Sequence, residues 1–293
     1  MNTVPFRFAR ADYPLARHTR YRIGGPARLA LFPPTRADME AAHHWLLDTQ
    51  TPFIVLGGGT NLLIDDRGYP GCALFTTGLR GVTEAARDHF AVGAGVALAD
   101  LVRQVMLPNN YRGVGALTGI PGTVGGALFM NAGTANGSIC GLAERVDLLR
   151  ADGLVSQPLS PEMYSYRGQA FCGDNCVITG ATFAFSRSDR DETEVYRHYM
   201  RRRSETQPEG WCCGSVFKNP PGDHAGRLIE AAGLRGVRHN GAVISDKHAN
   251  FIMNEDNARF DDVLYLIALA KDTVRERFGV ELREEVRIIR AAG

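Results

Sequence analysis

Phe53-Ile54-Val55-Leu56-Gly57-Gly58-Gly59-Thr60-Asn61-Leu62-Leu63 decides the reading of this 293-residue chain. Four apolar residues make a short buried strand, which runs directly into three glycines followed by Thr and Asn. Glycine lets the backbone approach a ligand closely and aim consecutive N–H groups at one anion. A tight turn is the bland alternative for the same triplet. Just upstream, Ala27–Phe32 reads as a strand, Pro33-Pro34-Thr35 breaks it, and Thr35 with Asp38 forms a capping box for a helix through Leu47. This strand–helix–strand order predicts a small α/β layer. A second glycine-rich stretch, Leu117-Thr118-Gly119-Ile120-Pro121-Gly122-Thr123-Val124-Gly125-Gly126-Ala127, is followed by Asn131-Ala132-Gly133. Two such loops with Thr and Asn donors suit the two halves of a pyrophosphate. Gly93-Ala94-Gly95 lacks the third glycine of a Rossmann fingerprint, and no Gly-Lys-Ser/Thr exists. A dinucleotide bound here therefore needs a different fold.

Composition narrows the function class. Lys and Arg number 33 against 32 Asp and Glu, a net charge of +1, which argues against binding nucleic acid or an anionic membrane by bulk charge. The 44% hydrophobic and 22% charged content is that of a globular chain. The longest apolar run, Leu264–Ala270, falls far short of the ~18 residues of a membrane span. The N-terminal Met-Asn-Thr-Val-Pro-Phe-Arg has no apolar signal core, so a cytoplasmic location is expected. Cys72, Cys140, Cys172, Cys176, Cys212 and Cys213 lack the spacing of a zinc site and read as buried or half-buried thiols, with no metal expected.

Further strands are predicted over His89–Val92, Val146–Arg150 and Val177–Phe185, and an amphipathic helix over Leu98–Met106. Three more helices follow: Glu194–Arg203, Ala225–Ala232 closed by Gly233, and Asp261–Phe278 closed by Gly279. In the last, Val263, Leu264, Ile267, Ala270 and Val274 share one face. Three polar groupings stand out: Tyr164-Ser165-Tyr166-Arg167, Gly214-Ser215-Val216-Phe217-Lys218-Asn219-Pro220 and Glu284-Glu285-Val286-Arg287. Ser215 reads as a nucleophile or a proton donor, and the absence of a Gly-x-Ser-x-Gly elbow disfavours a serine hydrolase. The bland reading of Arg167 and Glu285 is a surface ion pair. His248, in Ser245-Asp246-Lys247-His248-Ala249-Asn250-Phe251, is the one histidine among other ligand-like groups.

Taken in order, Arg22–Ala27, Leu56–Asp65, Gly119–Gly126, Met130–Gly133, Tyr166-Arg167, Gly214–Pro220, Ala225–Glu230, Lys247–Phe251 and Glu285–Arg287 resemble the UDP-N-acetylenolpyruvoylglucosamine reductase (MurB) family, over roughly His18 to Ile289. The resemblance implies an α+β protein: an FAD-binding fold of the vanillyl-alcohol-oxidase/PCMH type, made of two α/β subdomains, with a third α/β substrate-binding domain. It implies non-covalent FAD, held by Gly57, Gly58, Gly59, Thr60, Asn61 and Leu62 and by Thr118, Gly119, Ile120, Pro121, Gly122, Thr123, Gly125, Gly126 and Ala127. It further implies hydride from NADPH through flavin N5 to the vinyl C3 of UDP-N-acetylglucosamine enolpyruvate, giving UDP-N-acetylmuramate for peptidoglycan. Ser215 then matches the proton donor to C2, and Arg167 and Glu285 match the groups that stabilise the enolate. Glu285 is expected to act protonated or bridged, because an ionised carboxylate would repel that charge. Tyr166, Lys218, Asn219 and His248 match substrate contacts.

The implied division is 1–79 and 80–190 for the two FAD-binding subdomains and 191–283 for the substrate domain, with a strand at about 284–293 returning to the first. The short 168–214 stretch leaves no room for the tyrosine-bearing lid of one subgroup, so the chain is similar to the second, lidless type. Departures are Thr206 where the family commonly has Lys, with Arg201-Arg202-Arg203 nearby as a substitute, Asn240 where a second glycine is usual, and Gly168-Gln169 after Arg167. Cys213, beside Ser215, is expected to be an oxidation-sensitive thiol. A monomer acting on small molecules is expected, without nucleic-acid or membrane partners. The alternatives are another flavoprotein oxidoreductase of this fold or a non-catalytic flavin-binding relative.

Overall fold

The structure, a computed structural model, describes residues 4–291; residues 1–3 of the N-terminal stretch and 292–293 of the expected C-terminal strand lie outside them. In chain order the first elements are β1 (Ala9–Pro14), β2 (Pro26–Leu31), α1 (Arg36–Asp48), β3 (Phe53–Leu56), β4 (Leu62–Ile64), β5 (Tyr69–Phe75), β6 (Val82–Ala86) and β7 (His89–Gly93). Next come α2 (Leu98–Asp100), a π-helical turn over Leu101–Met106, α3 (Val114–Leu117), α4 (Val124–Phe129), β8 (Gly133–Thr134), β9 (Gly137–Ser138), β10 (Ala143–Arg150) and β11 (Gly153–Pro158). The remainder is β12 (Tyr164–Ser165), β13 (Gly168–Gln169), β14 (Val177–Ala184), α5 (Glu192–Thr206), α6 (Ala225–Ala231), β15 (Arg238–His239), β16 (Ala242–Ile244), β17 (Ile252–Asn254), α7 (Phe260–Phe278) and β18 (Arg287–Ile289).

The chain forms two compact units and passes between them several times. Of the described residues, the first takes 4–11, Leu29–Gly58 and Gly71–Arg202; the second takes Asp12–Arg28, Gly59–Pro70 and 203–291. One crossing falls inside the glycine triplet, between Gly58 and Gly59.

In the first unit β3 runs parallel to β5, Phe53 opposite Cys72 and Leu56 opposite Phe75. The predicted cap forms: Thr35 Oγ1 accepts the Asp38 N–H at 3.1 Å and opens α1. Met39, Ala42 and Leu46 of α1 are buried against Leu29, Leu31 and Leu74, with Leu149 and Val177 completing this core. A five-stranded antiparallel sheet, ordered β11-β10-β14-β7-β6, carries the second core, in which Val92, Leu101, Leu117, Leu128 and Phe183 meet. The helix expected over Leu98–Met106 forms, but widens into the π turn after its first three residues.

The second unit packs α6 and α7 with the sheet β15-β16-β17 around Val216, Phe217, Leu228, Ile244 and Leu266. Each such fully buried side chain contributes about 1.5–3 kcal/mol of burial energy. The buried face of α7 includes Val263, Leu266, Ile267, Ala270 and Val274, while Leu264 is only partly covered. Gly279 ends α7 at φ +68°, as expected of a glycine at that position. Parallel pairing of β18 with β4 sets Arg287 opposite Leu62 and Ile289 opposite Ile64. Asn240, the departure from glycine, sits at φ +45°, a conformation asparagine tolerates, and its Nδ2 donates to Asp262 at 2.7 Å.

Candidate active site

Within the first unit the two glycine-rich stretches meet. A side-chain carbon on Gly58 would lie 2.8 Å from Gly122 Cα, and one on Gly57 would overlap the Thr123 hydroxyl. Two backbones come this close only where no Cβ intervenes. Thr123 precedes α4 in extended conformation, and its Oγ1 is buried with no hydrogen-bond partner among the described residues. A buried hydroxyl left so costs about 1–3 kcal/mol, which a ligand's acceptor would offset. The frame behind it is backbone-bonded: the Gly122 carbonyl accepts from Leu98 N–H and the Gly125 N–H donates to Ala94, both at 2.9 Å. Gly119 and Gly122 turn the chain at φ +72° and +110°. The Thr118 hydroxyl donates to the Val114 carbonyl at 2.7 Å. Ile120 packs partly buried against the second core, Pro121 bridges the two turns, and Gly126 and Ala127 lie in α4.

Arg167 occupies the turn between β12 and β13 at φ +55°, a conformation few non-glycine residues adopt. Its Nη2 donates to the Gly133 carbonyl at 2.9 Å, and its guanidinium lies 5.1 Å from the centre of the exposed Tyr166 ring. Asn131, buried and itself at φ +43°, donates to the Ser165 carbonyl at 2.8 Å and accepts the Cys140 N–H at 3.3 Å. It therefore pins the strand that leads into the arginine turn. Sequence reading offered Asn131 as a donor to a bound pyrophosphate, whereas its side chain is spent within the protein, on the Ser165 carbonyl and the Cys140 N–H.

Within the second unit Gly59 adopts φ +62°, and a Cβ there would overlap the His18 carbonyl. After half-buried Thr60, Asn61 uses its side chain within the protein: Nδ2 donates to the Glu285 carbonyl at 2.9 Å. The Asn61 carbonyl accepts the Arg287 N–H at 3.0 Å, which continues into the Leu62–Arg287 pairing. Ser215 and Glu285 are brought together, because the Val216 carbonyl accepts both the Glu285 N–H (2.8 Å) and the Val286 N–H (3.2 Å). Both residues are half-buried. Lys218 continues the same pairing, its N–H donating to Arg283 at 2.9 Å. Asn219 Oδ1 accepts the Ala225 N–H at 3.1 Å, at the start of α6.

Buried Asn250 frames this segment, and sequence reading did not single it out. Its Oδ1 accepts the Phe217 N–H (2.9 Å), its Nδ2 donates to the Phe217 carbonyl (2.8 Å) and its own carbonyl accepts the Val216 N–H (2.9 Å). His248 Nδ1 in turn accepts the Asn250 N–H at 3.2 Å. Burial holds the His248 pKa below its ordinary value, so the ring is neutral at pH 7. Cys213 corrects an expectation: it is buried beside Tyr21, and burial above all pushes its thiol up to about 12, the opposite of an oxidation-prone cysteine. Among the described residues no group of three His, Cys, Asp or Glu could hold a metal ion.

Paired glycine loops beside an unanswered hydroxyl suit a protein that binds a pyrophosphate-bearing cofactor, and the FAD-binding domain family matches residues 27–157. The C-terminal domain family of UDP-N-acetylenolpyruvoylglucosamine reductase matches residues 207–289. Reductases of that name from Syntrophotalea carbinolica and Geobacter sulfurreducens are 37% and 39% identical over 278 and 279 residues, each covering 94% of this chain and 92% of the relative. The crystal structure of the enzyme from Thermus caldophilus superposes with a TM-score of 0.81 at 31% identity, covering 96% of this chain and 98% of that one. The chain belongs to the UDP-N-acetylenolpyruvoylglucosamine reductase family, and its fold is that family's FAD-binding fold. FAD suits the residues present: Gly57, Gly58 and Gly122 give the close backbone approach and Thr123 the unanswered hydroxyl.

Proposed function

We propose that this protein reduces UDP-N-acetylglucosamine enolpyruvate to UDP-N-acetylmuramate, a peptidoglycan precursor, using NADPH. FAD, held by Gly57–Leu62 and Thr118–Ala127, would supply the hydride transfer between the nicotinamide and the vinyl C3. The chain's own residues do the rest. Ser215 holds the proton destined for C2. Arg167 offers a guanidinium to the negative charge that develops on C2 and its carboxylate, where a charged, two-pronged donor is most effective. Glu285 serves as a neutral hydrogen-bond donor to the same charge. Tyr166, Lys218, Asn219 and His248 contact the substrate, and Gly57–Leu62 and Thr118–Ala127 contact the cofactor. The carrying observation is the backbone bond from Glu285 N–H to the Val216 carbonyl, which sets an acid-bearing strand beside the serine strand within a family match over nearly the whole chain.

The division of labour follows as 1–79 and 80–190 for flavin and 191–283 for substrate, with 284–293 returning to the first. A cytoplasmic monomer without nucleic-acid or membrane partners accords with the +1 charge. No helix among the described residues is long and apolar enough to cross a membrane.

The test is spectroscopic. Purified protein is expected to be yellow, to bleach on anaerobic addition of NADPH, and to regain colour with UDP-N-acetylglucosamine enolpyruvate. Colourless protein that takes up no FAD would overturn the reading. Equal reoxidation by unrelated acceptors would favour another oxidoreductase of this fold.

A further inference from the structure

The six thiols occupy unlike settings. Cys72, Cys140, Cys212 and Cys213 are buried, and burial alone pushes Cys140 up to about 12. Cys172 and Cys176 sit together in the first unit, at the two ends of the short loop Cys172-Gly173-Asp174-Asn175-Cys176 between β13 and β14. The turn is closed by the Cys176 N–H donating to the Gly173 carbonyl at 3.4 Å, with Asn175 at φ +56°. Cys172 Sγ points back across it, 3.5 Å from the Cys176 carbonyl. Cys176 is half-buried and Cys172 buried, so the more accessible of the two residues lies beside a shielded one.

Arg150 stands over this loop, its Nη2 held by Gln157 Oε1 at 2.8 Å and the Phe171 carbonyl at 3.3 Å. The Cys172 thiol beside it, and then the Arg150 guanidinium, hold the Cys176 thiol below its ordinary pKa against the opposing effect of burial. Exposure, a nearby guanidinium and an adjacent second thiol are the setting of reactive cysteines rather than of structural ones. The loop is also tied to the arginine turn. Gln169, two residues after Arg167, donates from Nε2 to the Cys172 carbonyl at 2.8 Å and accepts the Cys172 N–H on Oε1 at 2.7 Å.

We propose that Cys172 and Cys176 form a reversible disulfide whose state is passed through Gln169 to the turn bearing Arg167. The oxidant is a hydroperoxide. The Cys176 thiolate attacks the peroxide O–O bond, hydroxide leaves, and a sulfenic acid forms. The Cys172 sulfur then attacks that sulfur, its proton leaving with the oxygen as water. Two thiols and one hydrogen peroxide thus give one disulfide and two waters, and a dithiol reductant reverses the change. The coupling to turnover rests on the reductase reading; the thiol chemistry does not.

The experiment uses the FAD-loaded full chain, treated with hydrogen peroxide, blocked with iodoacetamide and cut with trypsin. Cleavage after Arg167 and Arg187 leaves both cysteines, and no others, in the peptide 168–187. That peptide is expected to be unalkylated and lighter by two hydrogens, and to regain two alkylatable thiols after dithiothreitol. Turnover should fall by up to about 10²-fold, as misplacement of a positioning group by about 1 Å does, and should recover with the reductant. Cys176→Ser should keep the basal rate and lose the response to peroxide. A peptide that keeps both thiols while other cysteines oxidise would overturn the site. Disulfide formation with unchanged turnover would overturn the link through Gln169. Reduced protein with no turnover at all would instead count against the reductase reading, since the peptide mass reports on the thiols independently.

Discussion

The cradle in the first unit and the serine strand in the second are built in opposite ways. At Gly57, Gly58, Gly122 and Thr123 the chain works by what it omits: side chains are missing so that backbone can approach backbone, and a single hydroxyl is left unanswered. At Ser215, Lys218 and Glu285 it works by what it adds: Asn250, Asn61 and His248 fix the strands through specific side-chain bonds. A backbone site should therefore be sensitive to volume and indifferent to protonation. A side-chain site should be sensitive to the loss of single polar groups and to pH.

The largest expected effect falls on the side-chain site. Ser215→Ala should leave NADPH-driven bleaching at its wild-type rate and slow the substrate-dependent reoxidation by about 10²–10⁴-fold, the usual worth of a positioned proton donor. Stopped-flow absorbance of the two half-reactions checks this. If both halves slow equally, Ser215 is structural and the contrast between the regions fails.

Asn250→Ala comes next. It strands the buried Phe217 N–H and carbonyl, each at about 1–3 kcal/mol. Melting should fall by about 5–10 °C, and reoxidation should slow while FAD binding stays unchanged at permissive temperature. Calorimetry and FAD titration separate the two outcomes. A smaller, complementary effect is expected of Gly58→Ala. The new methyl meets Gly122 Cα at 2.8 Å, so the cradle must open. FAD should bind about tenfold more weakly, roughly 1.4 kcal/mol, with the chemistry of the loaded enzyme preserved. Unchanged FAD affinity would remove Gly58 from the cofactor site.

That contrast also explains what was legible in the sequence. Strand Phe53–Leu56, the Thr35 cap and the glycine ends of the helices were readable because each is a local rule written in adjacent residues. The glycine loops were readable for the same reason, since the need for close approach leaves glycine itself behind. Strand β4 was not, because Leu62–Ile64 becomes a strand only by pairing with Arg287–Ile289, more than two hundred residues away, and the returning C-terminal strand was expected only from the family resemblance. Asn250 escaped notice, and Asn131 was taken for a ligand donor, because a buried asparagine looks in sequence like any loop asparagine; its value lies in which distant carbonyl it meets. Cys213 was misjudged by its nearness to Ser215, where burial beside Tyr21 decides its chemistry.

The smallest effect is the one that separates the two regions most cleanly. His248 supports the serine strand at one remove: Nδ1 accepts the Asn250 N–H, and Asn250 holds Phe217. Protonation would turn that acceptor into a donor and break the first bond. Because burial sets the folded pKa below the ordinary 6.5, the unfolded chain takes up a proton that the folded chain refuses. The stability contributed by neutral His248 is therefore complete above about pH 6.5 and declines as pH falls toward the folded pKa. In the glycine cradle the frame is backbone and hydroxyl, which do not titrate in this range. Lowering the pH below 6.5 toward the depressed folded pKa should slow reoxidation beyond any change in NADPH bleaching, while FAD affinity stays constant. His248→Asn, which retains an acceptor near the Nδ1 position and cannot titrate, should flatten the profile. A parallel loss of FAD affinity and reoxidation rate in the wild type would mean that both regions answer to the same proton, and the distinction between a backbone site and a side-chain site would not hold.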